Sequence, residues 1–497
     1  MRYYLKEIGI NSTIYSIFNI LTKAIGFILI PIYAHYLDPA EYGIISMVST
    51  INTFIIVFYD FGMSATWNRF YFDFPEGSRE QKIFLGNIFM FVFALSLSLS
   101  LFLTFFGSSV FSLVTPGVKF FPFINLGIWT GFFMMFYNLK LNLYRVRQQS
   151  FKYAIFSFCS FISIVSFTII AIVKFKFGAI GKVASESMVG FIFFVISVYL
   201  LKKDIIFKFD FIKLKQALNY GVKLIPHTIG GTVLAFIDRF FVNHYQGLKS
   251  VAVYSLAFQL GLIMNLIIIS INSSWFPFFM KMAEEKKESA KPIFAQLITY
   301  YVLAIMFIAI GISYFSKEFV QIFTTKQYYE AFKLAPIFVF SMVINGLYFI
   351  PANNIVYIKK AVKFLPIATI VAGISTIFFN FLLIPYFGVY GSAWAGIISN
   401  LICLSITFYI SEKFYSIKYE YKRITMIFLI TGILIIFLFF IQSLSINWWK
   451  LVLLKLVGIS VYFVFFYYSG FLRVSELSNL KDILSKFIPF RKTTSSQ

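Results

Sequence analysis

The sequence predicts an all-α integral membrane protein of about fourteen transmembrane helices. Two six-helix lobes related by a parallel repeat are expected, plus two C-terminal helices. Three observations predict it: the composition, the spacing of apolar runs and the placement of Lys and Arg. Of 497 residues, 60% are hydrophobic, 21% aromatic and only 13% charged. A soluble domain is roughly 45–50% apolar and about 25% charged, so a soluble globule of this composition would lack the polar surface to cover itself. The same numbers exclude a disordered chain and a fibrous repeat. With 20 acidic residues and 3 His in the whole chain, general acid–base groups and metal ligands are scarce. Cys159 and Cys403 both sit inside apolar runs, where thiols pack rather than form a disulfide framework or a metal site. No metal and no cofactor is expected. The net charge of +23 does not point to nucleic acid, because the basic residues lie between apolar runs and form no single patch.

A bilayer core takes about 20 apolar residues per helix. Fourteen such runs follow one another at 8–34, 43–65, 83–106, 120–142, 152–173, 180–201, 221–245, 250–275, 292–315, 332–356, 364–386, 388–410, 425–443 and 451–472. Runs 11 and 12 are divided only by Phe387-Gly388. Of the 43 Lys and Arg, 31 fall on the side that carries residue 1, 10 on the other, and Lys23 and Arg239 within spans. Short loops rich in Lys and Arg stay in the cytoplasm, so both termini are expected there. The first apolar run is too long for a signal h-region and leads into another span, so no cleaved signal is expected. After Arg473, Leu477, Leu480, Ile483, Leu484 and Phe487 recur at helical spacing around Lys481 and Lys486. That pattern reads as an amphipathic tail on the inner leaflet, or as a solvated linker. The segment with Ile212, Leu214 and Leu218 among Lys213 and Lys215 admits the same two readings.

The chain also resembles itself. Ala34-His35-Tyr36, with Ser46 ten residues past Tyr36, returns as Asn243-His244-Tyr245 with Ser255 ten past Tyr245, an offset of 209. Phe177-Gly178-Ala179-Ile180-Gly181 returns as Phe387-Gly388-Val389-Tyr390-Gly391 at 210, and Ser64-Ala65-Thr66-Trp67 as Asn272-Ser273-Ser274-Trp275 at 208. Three matches in order at one offset mark a repeat. Six spans per unit keep the orientation, which makes the repeat parallel, a transporter architecture with its site between the halves. The expected organisation is residues 1–205 as the N-terminal lobe and 206–220 as a cytoplasmic interlobe linker. Residues 221–412 form the C-terminal lobe, 413–472 the extra helix pair and 473–497 the tail.

On these residues the chain resembles a known family. Leu37-Asp38-Pro39-Ala40-Glu41-Tyr42-Gly43 is similar to the signature loop of bacterial polysaccharide flippases, which belong to the multidrug/oligosaccharidyl-lipid/polysaccharide exporter superfamily. Phe387-Gly388-Val389-Tyr390-Gly391-Ser392-Ala393 resembles a second signature. Ile225-Pro226, Ile237-Asp238-Arg239 and Val253-Tyr254-Ser255 resemble a third. The resemblance implies a flippase, not an enzyme, in the bacterial plasma membrane. Its substrate would be undecaprenyl-diphosphate-linked oligosaccharide, carried to the outer leaflet for capsule, O-antigen or a related glycan, and the neighbouring pathway includes a glycan polymerase. A lipid II-type flippase and a cation-coupled multidrug antiporter are the alternatives within transporters. A membrane glycan polymerase or glycosyltransferase is the remote one, since no Asp-x-Asp pair and no large loop is present.

Ionisable residues inside spans usually face a cavity or a partner. Lys23 in span 1 and Arg239 in span 7, on corresponding spans of the repeat, are therefore candidate contacts to a diphosphate, with Arg69 and Lys140 nearer the cytoplasmic mouth. Arg145 and Arg147 lie there too, and anchoring on the inner side is the plainer role for both. Asp60 in span 2 and Asp238 in span 7 are the acids placed to take a coupling proton or sodium ion. Successive helical residues point about 100° apart, so Asp238 and Arg239 need not pair: one is free to face a cavity and the other a packed seam. Asn345, Asn353 and Asn354 in span 10 suit either sugar hydroxyls or helix bridging.

Overall fold

The computed structural model describes residues 27, 29–358, 360–443, 447–469 and 471. Lys23, most of the first span and the tail after Arg473 lie outside the described residues. Among the described residues the structure is all-helical, with no strand. Ten of its segments are long and apolar enough to cross a membrane. Two are too long for one crossing: Phe211–Phe323 holds 113 residues and Val362–Phe414 holds 53, against the roughly 20 that a bilayer takes. Both are broken by glycine, at Gly247 (φ 76°) and Gly388 (φ 55°). These breaks fall where the sequence divides runs 7 from 8 and 11 from 12.

The signature loop has a physical reason to exist. Asp38 is the N-cap of helix Pro39–Asp60 and its carboxylate accepts the Ala40 N–H at 3.1 Å. Glu41 closes the reciprocal bond, accepting the Asp38 N–H at 3.2 Å. This is a capping box with proline at the first helical position, so orphan donors are satisfied and φ is preset. The second signature is a matter of handedness. Gly178 and Gly388, 210 residues apart, both have positive φ, 60° and 55°. At Gly178 a Cβ would also run into the Glu41 carboxylate, whereas at Gly388 the nearest atoms are an ordinary 3.5 Å away. Both Gly→Ala changes are strained by φ, by about 1 kcal/mol or more. Gly178→Ala is expected to lower the melting temperature in detergent more than Gly388→Ala, because Glu41 must also move. Equal effects would show that the Glu41 contact is slack.

The segment joining the expected lobes is strapped down. Ile206 donates its N–H to the Lys82 carbonyl at 3.0 Å, and Asn87 bonds both the Lys208 carbonyl (2.9 Å) and the Asp210 N–H (2.8 Å). Asp210 then caps helix Phe211–Gly221, and Gly62 lies so close to Gly221 that a Cβ there would strike its carbonyl. Of the two readings of the segment around Ile212, a helix is the one present, and it docks on residues of the second and third apolar runs.

The chain divides into two compact units, Met1–Met280 with Ser316–Ser416, and Lys281–Phe315 with Ile417–Gln497. Inside the second unit, helices Tyr421–Ser443 and Trp448–Tyr468 pack with the segment that runs from Lys291. Tyr314 donates to the Leu434 carbonyl at 2.6 Å and Tyr462 to that of Leu303 at 2.9 Å. The pair that looks like an addition at the C-terminal end thus packs with the ninth apolar run.

Candidate functional site

In the first unit, the second and third signature segments meet in one polar network. Helix Asp238–Lys286 starts at Asp238, and Asp238 Oδ1 accepts both the Arg239 N–H (2.8 Å) and its guanidinium (2.9 Å). Asp238 Oδ2 accepts the Tyr254 hydroxyl. The Ser392 hydroxyl donates to Asn380 Oδ1 at 2.6 Å and lies 3.3 Å from the Tyr254 oxygen, and Asn380 donates onward to the Thr376 carbonyl. Asp238, Arg239, Tyr254, Asn380 and Ser392 are all buried. The Arg239 guanidinium also rests 4.4 Å from the Phe258 ring centre and 5.1 Å from that of Phe236, so the ring faces add cation–π attraction.

Helical spacing left Asp238 and Arg239 free not to pair, but here they share one environment. They form an ion pair. Backbone periodicity does not decide the pairing: Ile237 keeps helical angles (φ −64°, ψ −27°) between helices Ile225–Phe236 and Asp238–Lys286, and it is the side chains that turn toward each other. An Asp that opens a helix folds its carboxylate back over the next N–H, and the flexible Arg stem follows it.

Next to this network the two expected lobes touch. The Ser46 and Ser255 hydroxyls are 2.5 Å apart, and Gln259 donates to the Tyr42 hydroxyl at 2.9 Å. Gly43 lies against the Leu248 carbonyl, where any Cβ would collide. Asn243 donates to the Pro116 carbonyl at 3.0 Å, and Tyr328 to that of Leu37 at 3.4 Å. These residues lie in or beside the Lys-poor loops, so the expected lobes are joined at that end.

Elsewhere in this unit the charges are also engaged. Lys140 bonds Asp204 Oδ2 at 3.0 Å and the Leu200 carbonyl at 3.2 Å. Arg147 bonds Asp204 Oδ1 at 2.7 Å and the Tyr71 hydroxyl at 2.8 Å. Arg69, with about half its side chain exposed, pairs with Asp73 at 2.8 Å. Asp60 accepts the Ser64 N–H at 2.9 Å, just past the left-handed Phe61 and Gly62, and so caps the short helix Met63–Phe70. Asn353 bonds Asn272 and Asn354 bonds Ser411, so both bridge helices. The sequence reading passed over Lys182 and Glu186, an ion pair inside helix Gly178–Leu201. Two opposite charges four residues apart in an apolar run were its legible signal.

Asp204 lies outside the spans. Burial alone would raise its carboxyl, but the bond from Arg147 and the charge of Lys140 outweigh burial and hold it below the usual carboxylate value. Stability from a depressed carboxyl is present above its unfolded value, near 4, and lost as pH falls through the lower folded value. Asp204→Asn forfeits it at every pH. The melting difference between wild type and variant is therefore expected to hold steady from about pH 7 to 5 and shrink below about pH 4. A pH-independent difference would show that the charge of Asp204 contributes nothing.

Residues 8–283 match the family model described as polysaccharide biosynthesis protein. The chain belongs to that family. An uncharacterized membrane protein of Methanocaldococcus jannaschii is 23% identical over 505 aligned positions, 94% of this chain and 96% of its own length. Among solved structures, the lipid II flippase MurJ in an inward closed conformation superposes with a TM-score of 0.74 at 18% identity, covering 92% of this chain and 99% of that one. An inward-facing multidrug resistance MATE family transporter of the MOP superfamily gives 0.60 at 15% identity, covering 81% and 94%. A MOP superfamily transporter from Pyrococcus furiosus gives 0.57 at 15%, covering 84% and 95%. The likeness establishes the fold: this is a multi-pass membrane protein with the helical architecture of that transporter superfamily.

Proposed function

We propose that the chain is a flippase for undecaprenyl-diphosphate-linked oligosaccharide, working by alternating access in a bacterial plasma membrane with both termini cytoplasmic. Membership of the polysaccharide biosynthesis family on a transporter fold supports the substrate class. The observation that carries the mechanism is the seam at Gly43, Ser46 and Ser255, which joins the expected lobes at the Lys-poor end. On the positive-inside reading that end is the outer one.

The wider organisation belongs to the same proposal. Fourteen crossings would form lobes 1–205 and 221–412 about an axis along the membrane normal. Residues equivalent under a twofold meet where they touch its axis, and Ser46 and Ser255, equivalent at offset 209, are in contact. Lys23 and Arg69 are the headgroup contacts we propose, Arg69 because its side chain, though paired with Asp73, is about half exposed. Lys140 and Arg239 are held by Asp204 and Asp238 and join them only by exchanging partners. Proton or sodium coupling would act at Asp238 or Asp60 by competing with those contacts. A downstream glycan polymerase is the proposed consumer of the flipped lipid.

The test is reconstitution. Vesicles holding the purified chain are loaded with fluorescent undecaprenyl-diphosphate oligosaccharide, and its transfer between leaflets is read with an impermeant glycosidase. Transfer at least tenfold faster than in protein-free vesicles is expected. Transfer at the protein-free rate overturns the proposal.

A further inference from the structure

Away from the seam, the first unit holds a small apolar groove of about 280 Å³. Phe89, Met90 and Phe93 of helix Arg79–Val114 form one wall, Phe194 and Val198 of helix Gly178–Leu201 the other, and Phe207 of the connecting segment closes it. Its volume is just under the roughly 300 Å³ from which drug-sized ligand pockets begin. That is room for part of one slender apolar chain.

The closing residue is fixed in place. Both neighbours of Phe207 are hydrogen-bonded to helix Arg79–Val114, Ile206 through the Lys82 carbonyl and Lys208 through Asn87. Gly86 has no Cβ, which lets the Ile206 carbonyl lie against the helix. Phe207 meets Phe89 edge to face at 5.9 Å and is still 59% exposed. A large aromatic side chain anchored on both sides and left open is organised for something that arrives from outside.

Charge sits at one end of the groove. Residues four apart share a helix face, so Lys202 follows Phe194 and Val198 one turn toward the basic side. Lys82 lies on the same terms below Gly86 and Met90. Lys203 and Lys208 belong to the connecting segment and are exposed, as is Lys202. On the far side of Phe194, Phe191, Ile192, Val195 and Ile196 are exposed, which puts the groove on the perimeter that meets lipid.

We propose that this groove binds an anionic phospholipid of the surrounding bilayer, one acyl chain lying against Phe207 and the phosphate meeting Lys202, Lys203 and Lys208. A free phosphate has no use for the aromatic walls, and a neutral lipid has none for the lysines. Basic pockets between membrane helices on the cytoplasmic side recognise acidic headgroups in this way. The site does not depend on what the protein transports.

Native mass spectrometry of the full chain in detergent tests it, with phosphatidylglycerol and phosphatidylcholine of identical acyl chains titrated separately. Wild type is expected to retain one phosphatidylglycerol at a concentration at least fivefold lower than phosphatidylcholine. Lys202→Gln/Lys203→Gln/Lys208→Gln, all at exposed positions, should abolish that preference. Val198→Trp should fill the groove and weaken both lipids at least fivefold. Equal retention of the two lipids by wild type overturns the proposal, and so does a preference that survives in the triple Gln variant. Both readouts stand even if Val198→Trp does not fold. Because no transport is measured, this result is independent of the flippase assay.

Discussion

A disulfide between positions 46 and 255 is expected to cut glycan export at least tenfold, and a reductant should restore it. The Ser46 and Ser255 hydroxyls are 2.5 Å apart, so the side chains already point at each other and cysteine sulfurs there come within bonding reach with a small shift. The contact joins the two halves of the repeat beside the backbone approach of Gly43 to Leu248. On the proposed alternating-access cycle, this end parts once per turnover. A covalent bond there holds the closed state, whereas Ser46→Cys and Ser255→Cys singly leave the halves free. The natural cysteines, Cys159 and Cys403, are replaced first, so that only the designed pair forms. Quantitative cross-linking with undiminished export would mean that the seam does not open during transport. Loss of export in both single variants would mean that the hydroxyl pair matters for packing instead.

How much of this was legible in the sequence depended on how local the physics is. Apolar runs of about 20 residues and the Lys and Arg bias are properties of a single span or loop, so the membrane fold could be read directly. The capping box was also within reach, since Asp38-Pro39-Ala40-Glu41 is a four-residue pattern. The left-handed glycines were visible as repeated Phe-Gly, though not what surrounds them: that Gly178 faces Glu41 and Gly388 does not is a fact of packing. Charge pairing was the part that sequence could not supply. Lys140 and Asp204 are 64 residues apart, and nothing in either neighbourhood names the other. Asp238 and Arg239 are adjacent, yet the 100° between their Cα–Cβ bonds does not say how a carboxylate and a flexible Arg stem turn toward each other. The C-terminal helix pair shows the same limit. Its separateness was inferred from the repeat, and its packing with the segment from Lys291 depends on Tyr314 and Tyr462 finding backbone carbonyls.

Arg239→Ala is expected to destabilise the protein by about 3–5 kcal/mol, because it leaves the Asp238 carboxylate buried without its partner. Asp238 is 8% exposed and Arg239 is 5% exposed, so water cannot take over the lost contact. Asp238→Asn should cost less, about 1–3 kcal/mol, since the guanidinium among Phe236, Tyr254 and Phe258 then keeps a neutral amide oxygen and the Ala235 carbonyl at 3.3 Å but loses the carboxylate charge. The double variant Asp238→Asn/Arg239→Ala combines the same two changes and leaves neither charge buried alone. It should therefore cost less than the sum of the single changes, with a coupling energy of about 1–3 kcal/mol. Tyr254→Phe deletes the hydroxyl that serves Asp238 and should cost about 1–3 kcal/mol by leaving a buried acceptor short of a donor. Unfolding in mixed detergent micelles, followed by tryptophan fluorescence, gives all four values. If the two single charge variants each lose under about 1 kcal/mol and their effects add, the pair is not what holds this network together. Near-normal stability combined with lost export would instead place Arg239 with the substrate contacts, as its depth in span 7 first suggested.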